Sequence, residues 1–134
     1  MPRGLVALLI ALSLAACAGR EAPEDVGVCW RAHAGAGGAF SFTPLARNVA
    51  NLETCAVLLE GLRLQGQADT DGAFQGYFIF VDEAAMSSAR HVHGFRYPIF
   101  QPPQRAEVDR DLRRLMRERG GRMPDASELA LERR

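Results

Sequence analysis

The most regular alternation of apolar and polar positions runs from Thr43 to Leu64. Leu45, Val49, Leu52, Ala56 and Leu59 recur at spacings of three and four, which places them on one face of an α-helix, while Arg47, Glu53, Glu60 and Arg63 fall away from its centre. Thr43-Pro44 reads as the start of that helix, a capping hydroxyl followed by a proline whose missing N–H costs nothing in the first turn, and Gly66 follows its end. Upstream, Val28–Phe42 has β-prone residues at both ends and Ala-Gly-Ala-Gly-Gly between them, the pattern of a hairpin. A first arm that is a strand puts Cys29, Arg31 and His33 on one face and Trp30 on the other.

Gln67–Gly72 is a turn cluster. Ala73–Asp82 is then apolar on both sides, with Phe74, Phe78 and Phe80 on one face and Tyr77, Ile79 and Val81 on the other, which predicts a central strand covered twice. Glu83–Ala89 reads as one helical turn or a loop. His91, His93, Phe95, Tyr97 and Ile99 alternate with Val92 and Arg96 as a strand, and Pro98 makes it an edge strand. After Pro102-Pro103, Arg105–Arg119 carries the narrow stripe Val108, Leu112, Leu115 and Met116, a second amphipathic helix stopped by Gly120-Gly121. These elements predict an α+β fold. A small antiparallel sheet of three to four strands carries one long amphipathic helix, and a second, C-terminal helix either covers the opposite face or extends from it; the two-sided apolarity of Phe74–Val81 favours cover.

The start of the chain has a different order. Arg3 precedes the apolar run Gly4–Leu14, and Leu14-Ala15-Ala16 leads into Cys17, the charge, grease and small-residue sequence of a secretory signal. A membrane span needs ~20 apolar residues, and this run is shorter and followed by Gly19-Arg20-Glu21. An ordinary secreted protein with Cys17 incidental is the other alternative. Leu14-Ala15-Ala16-Cys17 resembles the lipobox of bacterial lipoproteins. The resemblance implies that residues 1–16 are removed as a signal peptide and that Cys17 becomes the acylated first residue of the mature chain. More than one acyl chain is then needed for stable anchoring. Ala18, where an Asp marks inner-membrane retention, implies the outer membrane, with the protein facing the periplasm. Residues 17–27 read as a polar tether, 28–119 as a single domain, and 120–134 as a polar tail expected to be mobile, with a short helix after Asp125. The body from Cys29 to Asp82, with Cys29-Trp30, the run Glu53–Gln65 and Gly72–Asp82, resembles small uncharacterised lipoproteins of G+C-rich Gram-negative bacteria, a resemblance that brings no activity with it.

Composition narrows the chemistry. Sixteen basic residues, all arginine, balance sixteen acidic ones, so no net field draws the chain to nucleic acid, and without lysine there is no amine nucleophile. In an exported domain Cys29 and Cys55 are expected to pair, closing a loop whose constraint contributes ~3 kcal/mol in the chain-entropy model. The alternative is two separate buried thiols.

Four sets of residues invite a functional reading. His91 and His93, with His33, are weak candidates for a metal site, which needs three or four ligands. Cys55 beside His91 or His93 makes a nucleophile pair, although a mid-helix position is unusual for a reactive thiol. Asp69, Asp71, Asp82 and Glu83 are carboxylates in turns, where acids are ordinary. Arg105–Arg122 holds seven arginines against Glu107, Asp109, Asp111 and Glu118, a net +3 that reads as a solvated helix or a surface for an acidic partner. No catalytic constellation, cofactor motif or nucleotide fingerprint emerges. The expectation is therefore a membrane-anchored, non-enzymatic accessory or assembly subunit that binds the bilayer through acylated Cys17 and another envelope protein through its body. The alternative is a small periplasmic hydrolase or a metal- or ligand-binding lipoprotein using the His91/His93 face.

Overall fold

A computed structural model of the chain describes residues 21–132. Six strands, β1 (Cys29–Ala34), β2 (Phe40–Ala46), β3 (Gly72–Phe74), β4 (Tyr77–Val81), β5 (Met86–Ala89) and β6 (Tyr97–Pro98), form one antiparallel sheet in the order β2-β1-β3-β4-β5-β6. Three helices accompany it: α1 (Leu52–Leu64), α2 (Pro102–Glu118) and α3 (Ala126–Glu132). The fold is thus α+β, and the sheet is larger than the three to four strands expected.

Two extra strands come from local chemistry that the periodicity hides. The run expected as one strand from Ala73 to Asp82 is a hairpin. Gln75 (φ 45°) and Gly76 (φ 84°) form a two-residue turn between paired Phe74 and Tyr77, and two positive φ angles are what a type I′ turn requires. The turn reverses the chain, so Phe74 joins Ile79 and Val81 in one cluster while Phe78 and Phe80 belong to another. Met86–Ala89, expected as a helical turn or loop, pairs with β4 instead. The strand expected over His91–Phe100 shrinks to the two residues of β6, because the chain turns at His91–Gly94 with the Gly94 N–H donating to the His91 carbonyl at 2.9 Å.

Thr43 and Pro44 do not start the helix. They lie in β2 at the edge of the sheet, where Pro44 is tolerated. The helix begins after Asn51, whose Oδ1 accepts the Thr54 N–H at 2.8 Å and caps it. Eight consecutive residues of α1, Thr54–Gly61, are buried. The sheet supports one side of this helix, and α2 and α3 close the rest.

All three helices therefore share one face of the sheet. Leu112, Leu115 and Leu129 pack in the same cluster as Cys29, Phe74 and Ile79. The sequence expectation that the Arg105–Arg119 helix covers the opposite face is corrected here. Its stripe of Val108, Leu112, Leu115 and Met116 is only wide enough for one neighbour, and α1 offers the apolar flank. Cover for the opposite face comes from the sheet's own aromatic residues: Phe78, Phe80, Phe40, Phe42, Trp30 and Val92 cluster there together with Ala22. Phe78 lies 5.8 Å from Phe40 and 6.1 Å from Phe42 between ring centroids, within the range of favourable aromatic pairs.

Cys29 in β1 and Cys55 in α1 form a disulfide with Cα atoms 5.3 Å apart, both residues fully buried. It joins sheet to helix at the centre of the core. At Gly72, an added Cβ would stand 2.2 Å from the Trp30 carbonyl oxygen, so only glycine lets β3 approach β1 this closely.

The described parts of both flanking segments belong to the packed body. Ala22 is buried, the Gly76 N–H donates to the Pro23 carbonyl at 2.8 Å, and the Gly27 N–H donates to Gln75 Oε1 at 2.9 Å. The short helix expected after Asp125 is present as α3. Its Leu129 is buried, and Arg119 Nη2 lies 2.7 Å from Glu128 Oε1.

Candidate functional site

The residues nominated by the sequence end up apart. Cys17 lies outside the described residues. His33 shares the helix-bearing side of the sheet by its parity with Cys29, with Nε2 2.9 Å from Thr43 Oγ1 and Nδ1 3.6 Å from Asp69 Oδ2. His91 and His93 are exposed in the turn before β6 and flank Val92, which packs on the other side. They rim a hollow of about 360 Å³ with Glu21, Gly37 and Gly38. Among the described residues no group of three or more His, Cys, Asp or Glu is placed to hold a metal ion. The Cys55 sulfur is committed to the disulfide, so it offers no nucleophilic thiol.

Three of the four turn carboxylates hold backbone or partner side chains. Asp71 Oδ1 accepts the Val81 N–H at 2.9 Å, and burial pushes its carboxyl above the usual range. Asp82 Oδ1 accepts the N–H groups of Ala84 and Ala85, each at 2.8 Å, and tightens that turn. The Asp69 carbonyl accepts Arg31 Nε at 2.9 Å, and its carboxylate faces His33. Glu83 is exposed.

A charged cluster that sequence reading missed sits between α1 and α2. Glu60 is fully buried, although its position on α1 suggested solvent. Arg63, one turn on, reaches it with Nη2 at 2.7 Å and Nε at 3.0 Å, and Arg105 Nη2 approaches from α2 at 3.1 Å. Arg105 is itself buried and also donates to the Asp82 carbonyl. Asp109, one turn along α2, has Oδ2 3.9 Å from Arg105 Nε. The only sequence traces of this cluster are the within-helix pairs Glu60/Arg63 and Arg105/Asp109, and their meeting requires the helix packing.

Partial burial raises the Asp109 carboxyl to about 6, the nearby Glu60 carboxylate adds to the rise, and Arg105 and Arg63 oppose it. The folded state thus holds this proton more tightly than the unfolded chain does. Stability supplied by protonated Asp109 is present at low pH and is lost as pH rises through about 6. Asp109→Asn is expected to raise the thermal midpoint at pH 7.5 and to leave it nearly unchanged at pH 4. After discounting for solvent screening the gain is on the order of 1 kcal/mol. Thermal unfolding of both proteins across that range checks the sign.

The other notable surface is the outer side of α2. Arg114 lies 3.7 Å from Asp111 and 3.6 Å from Glu118, and Arg119 pairs with Glu128. Arg110, Arg113 and Arg117 are exposed, with no ion pair among the described residues, and their spacing of three and four aligns them along one stripe. Beside the stripe is a hollow of about 370 Å³, in which Arg113 and Arg117 flank Leu64, Met116 and Gly121. Two guanidinium groups over an apolar floor suit a carboxylate-bearing segment with an apolar side chain.

Comparisons with protein-family models, with curated proteins and with solved structures return no match. The fold and this surface define an α+β domain with one layer of helices on an antiparallel sheet, an aromatic cluster on the helix-free side and an arginine stripe on the helix side.

Proposed function

We propose that the chain is an outer-membrane lipoprotein facing the periplasm, held by acylated Cys17, and that it acts as a non-enzymatic accessory or assembly subunit docking an acidic segment of another envelope protein on α2. The observation that carries this reading is the burial of Ala22 in the aromatic cluster of the helix-free side. Four residues lie between Cys17 and Ala22, and the five steps along the chain can span at most ~18 Å. An anchor at Cys17 would keep the helix-free side next to the bilayer. The helix layer, with Arg110, Arg113 and Arg117, would then face away from the membrane toward a partner.

The test has two arms. Intact mass analysis of the membrane-derived protein is expected to show residues 1–16 absent and acyl groups on Cys17. A photo-crosslinking residue at Met116 is expected to give one discrete protein adduct, reduced at least about tenfold by Arg113→Glu with Arg117→Glu. A retained leader would overturn the anchoring. An adduct indifferent to charge reversal, or none, would overturn the docking.

A second reading uses the hollow beside His91 and His93. Stoichiometric metal in the purified protein that disappears in His91→Ala/His93→Ala would favour it over partner docking.

A further inference from the structure

One cleft has no role in that reading. It opens between the Asp82–Met86 turn, the segment leading into β6 and the start of α2, with a volume of about 460 Å³, within the range of small-molecule sites. Met86, Pro98, Phe100 and Pro102 supply apolar walls, and the polar groups are few and come from different elements.

Arg96 and Arg105 both line this cleft, and both side chains are held in place. Arg96 lies with its guanidinium carbon 3.8 Å from the centre of the Phe80 ring and makes no ion pair among the described residues. A cation fixed on an aromatic face keeps its outer N–H groups available for an anion. Arg105 is oriented from behind by Glu60 and by the Asp82 carbonyl, and its Nη1, buried, has no hydrogen-bond partner. An unpaired buried N–H is costly, and an acceptor that approaches it relieves the cost. The one carboxylate in the lining, Asp82, already spends an oxygen on the N–H groups of Ala84 and Ala85. No ion pair joins Asp82 to either arginine among the described residues.

The prolines exclude a simpler anion site. Pro102 and Pro103 remove the first free N–H groups of α2, and Gln104 Oε1 takes the Gln101 N–H at 2.9 Å. The helix end therefore offers little to an ion by itself. Recognition falls to the two arginine side chains, with the apolar walls beside them.

We propose that this cleft binds a small amphiphile: one anionic group, carboxylate or phosphate monoester, held between Arg96 and Arg105, with a short apolar body against Met86 and Phe100. The site does not depend on acylation of Cys17 or on a partner at α2.

The experiment uses the full chain carrying Cys17→Ser, titrated by calorimetry with hexanoate, hexyl phosphate, hexanol and inorganic phosphate. Binding of hexanoate or hexyl phosphate is expected, and the stronger of the two identifies the headgroup. Neutral hexanol and bare phosphate are expected to bind at least about tenfold more weakly, because each lacks one half of the recognition. Arg96→Gln is expected to weaken the preferred probe about tenfold. Ala84→Trp, at an exposed position in the lining, is expected to block the cleft while leaving the thermal midpoint unchanged. Equal binding of hexanol, undiminished binding in both variants, or no saturable binding at about 1 mM probe would overturn the proposal.

Discussion

Glu60→Ala is expected to cost about 3 to 5 kcal/mol of stability, because it leaves the buried Arg105 guanidinium with only the longer contact to Asp109, 3.9 Å from its Nε, as a charged partner. Arg63 is one-quarter exposed and can turn toward water, whereas Arg105, at 9% side-chain exposure, cannot. The loss should therefore depend on Arg105 and hardly on Arg63. Urea unfolding of the single and paired variants tests this. Glu60→Leu combined with Arg105→Met removes both charges and is expected to recover most of the stability lost in Glu60→Leu, since desolvating a buried ion pair offsets much of its attraction. A double variant as unstable as Glu60→Leu would show that the ion pair is not what α1 and α2 depend on. Arg105 also lines the proposed amphiphile cleft, so the same double variant should lose hexanoate binding while remaining folded.

Reduction of the Cys29–Cys55 disulfide is the second large effect. The bond closes a sequence separation of 26 residues and lies in the centre of the core. Its loss is expected to cost about 3 to 4 kcal/mol by freeing the unfolded chain, a fall in thermal midpoint on the order of 10 °C. Unfolding with and without reductant measures it, and thiol titration of the native protein is expected to find neither Cys29 nor Cys55 reactive. Midpoints that do not move on reduction would place the stabilisation in packing alone. Because the disulfide ties β1 to α1, its loss is expected to loosen the join between sheet and helix first, leaving the β3–β4 hairpin, set by its own turn, less affected.

These two effects differ in how visible they are from the sequence. The two cysteines could be paired from composition and from the placement of Cys55 on the flank of the α1 stripe. Glu60 could not be identified in that way. Its neighbours give it the pattern of a solvent-facing residue, and only the arrival of α2 forty residues later buries it. The same holds for the cleft, whose two arginines come from segments that show no common pattern.

Local chemistry explains the errors along the strands. Phe74 and Phe78 share an alternation parity, so the aromatic run from Ala73 to Val81 reads as one strand. Two residues with positive φ at Gln75 and Gly76 convert it into a hairpin, and Gln75 is held there in part by its side-chain bond to Gly27, a contact across 48 positions. Thr43-Pro44 has the chemistry of a helix start, but pairing with β1 keeps it extended, and Asn51 supplies the working cap. Short polar segments such as Met86–Ala89 carry too little periodicity to reveal a strand that exists because β4 lies beside it.

The order of residues alone determined the α+β class, the β1–β2 hairpin, the apolar stripes of α1 and α2 and the reach of Cys29 to Cys55, because each follows from periodicity, turn residues or side-chain chemistry within a short stretch. The tertiary structure decided which side of the sheet the helices share, that Ala22 and Leu129 are packed, and that Glu60, Arg105 and Asp109 meet. Those outcomes depend on burial between segments far apart in the chain, and a local pattern carries no record of what will finally lie against it.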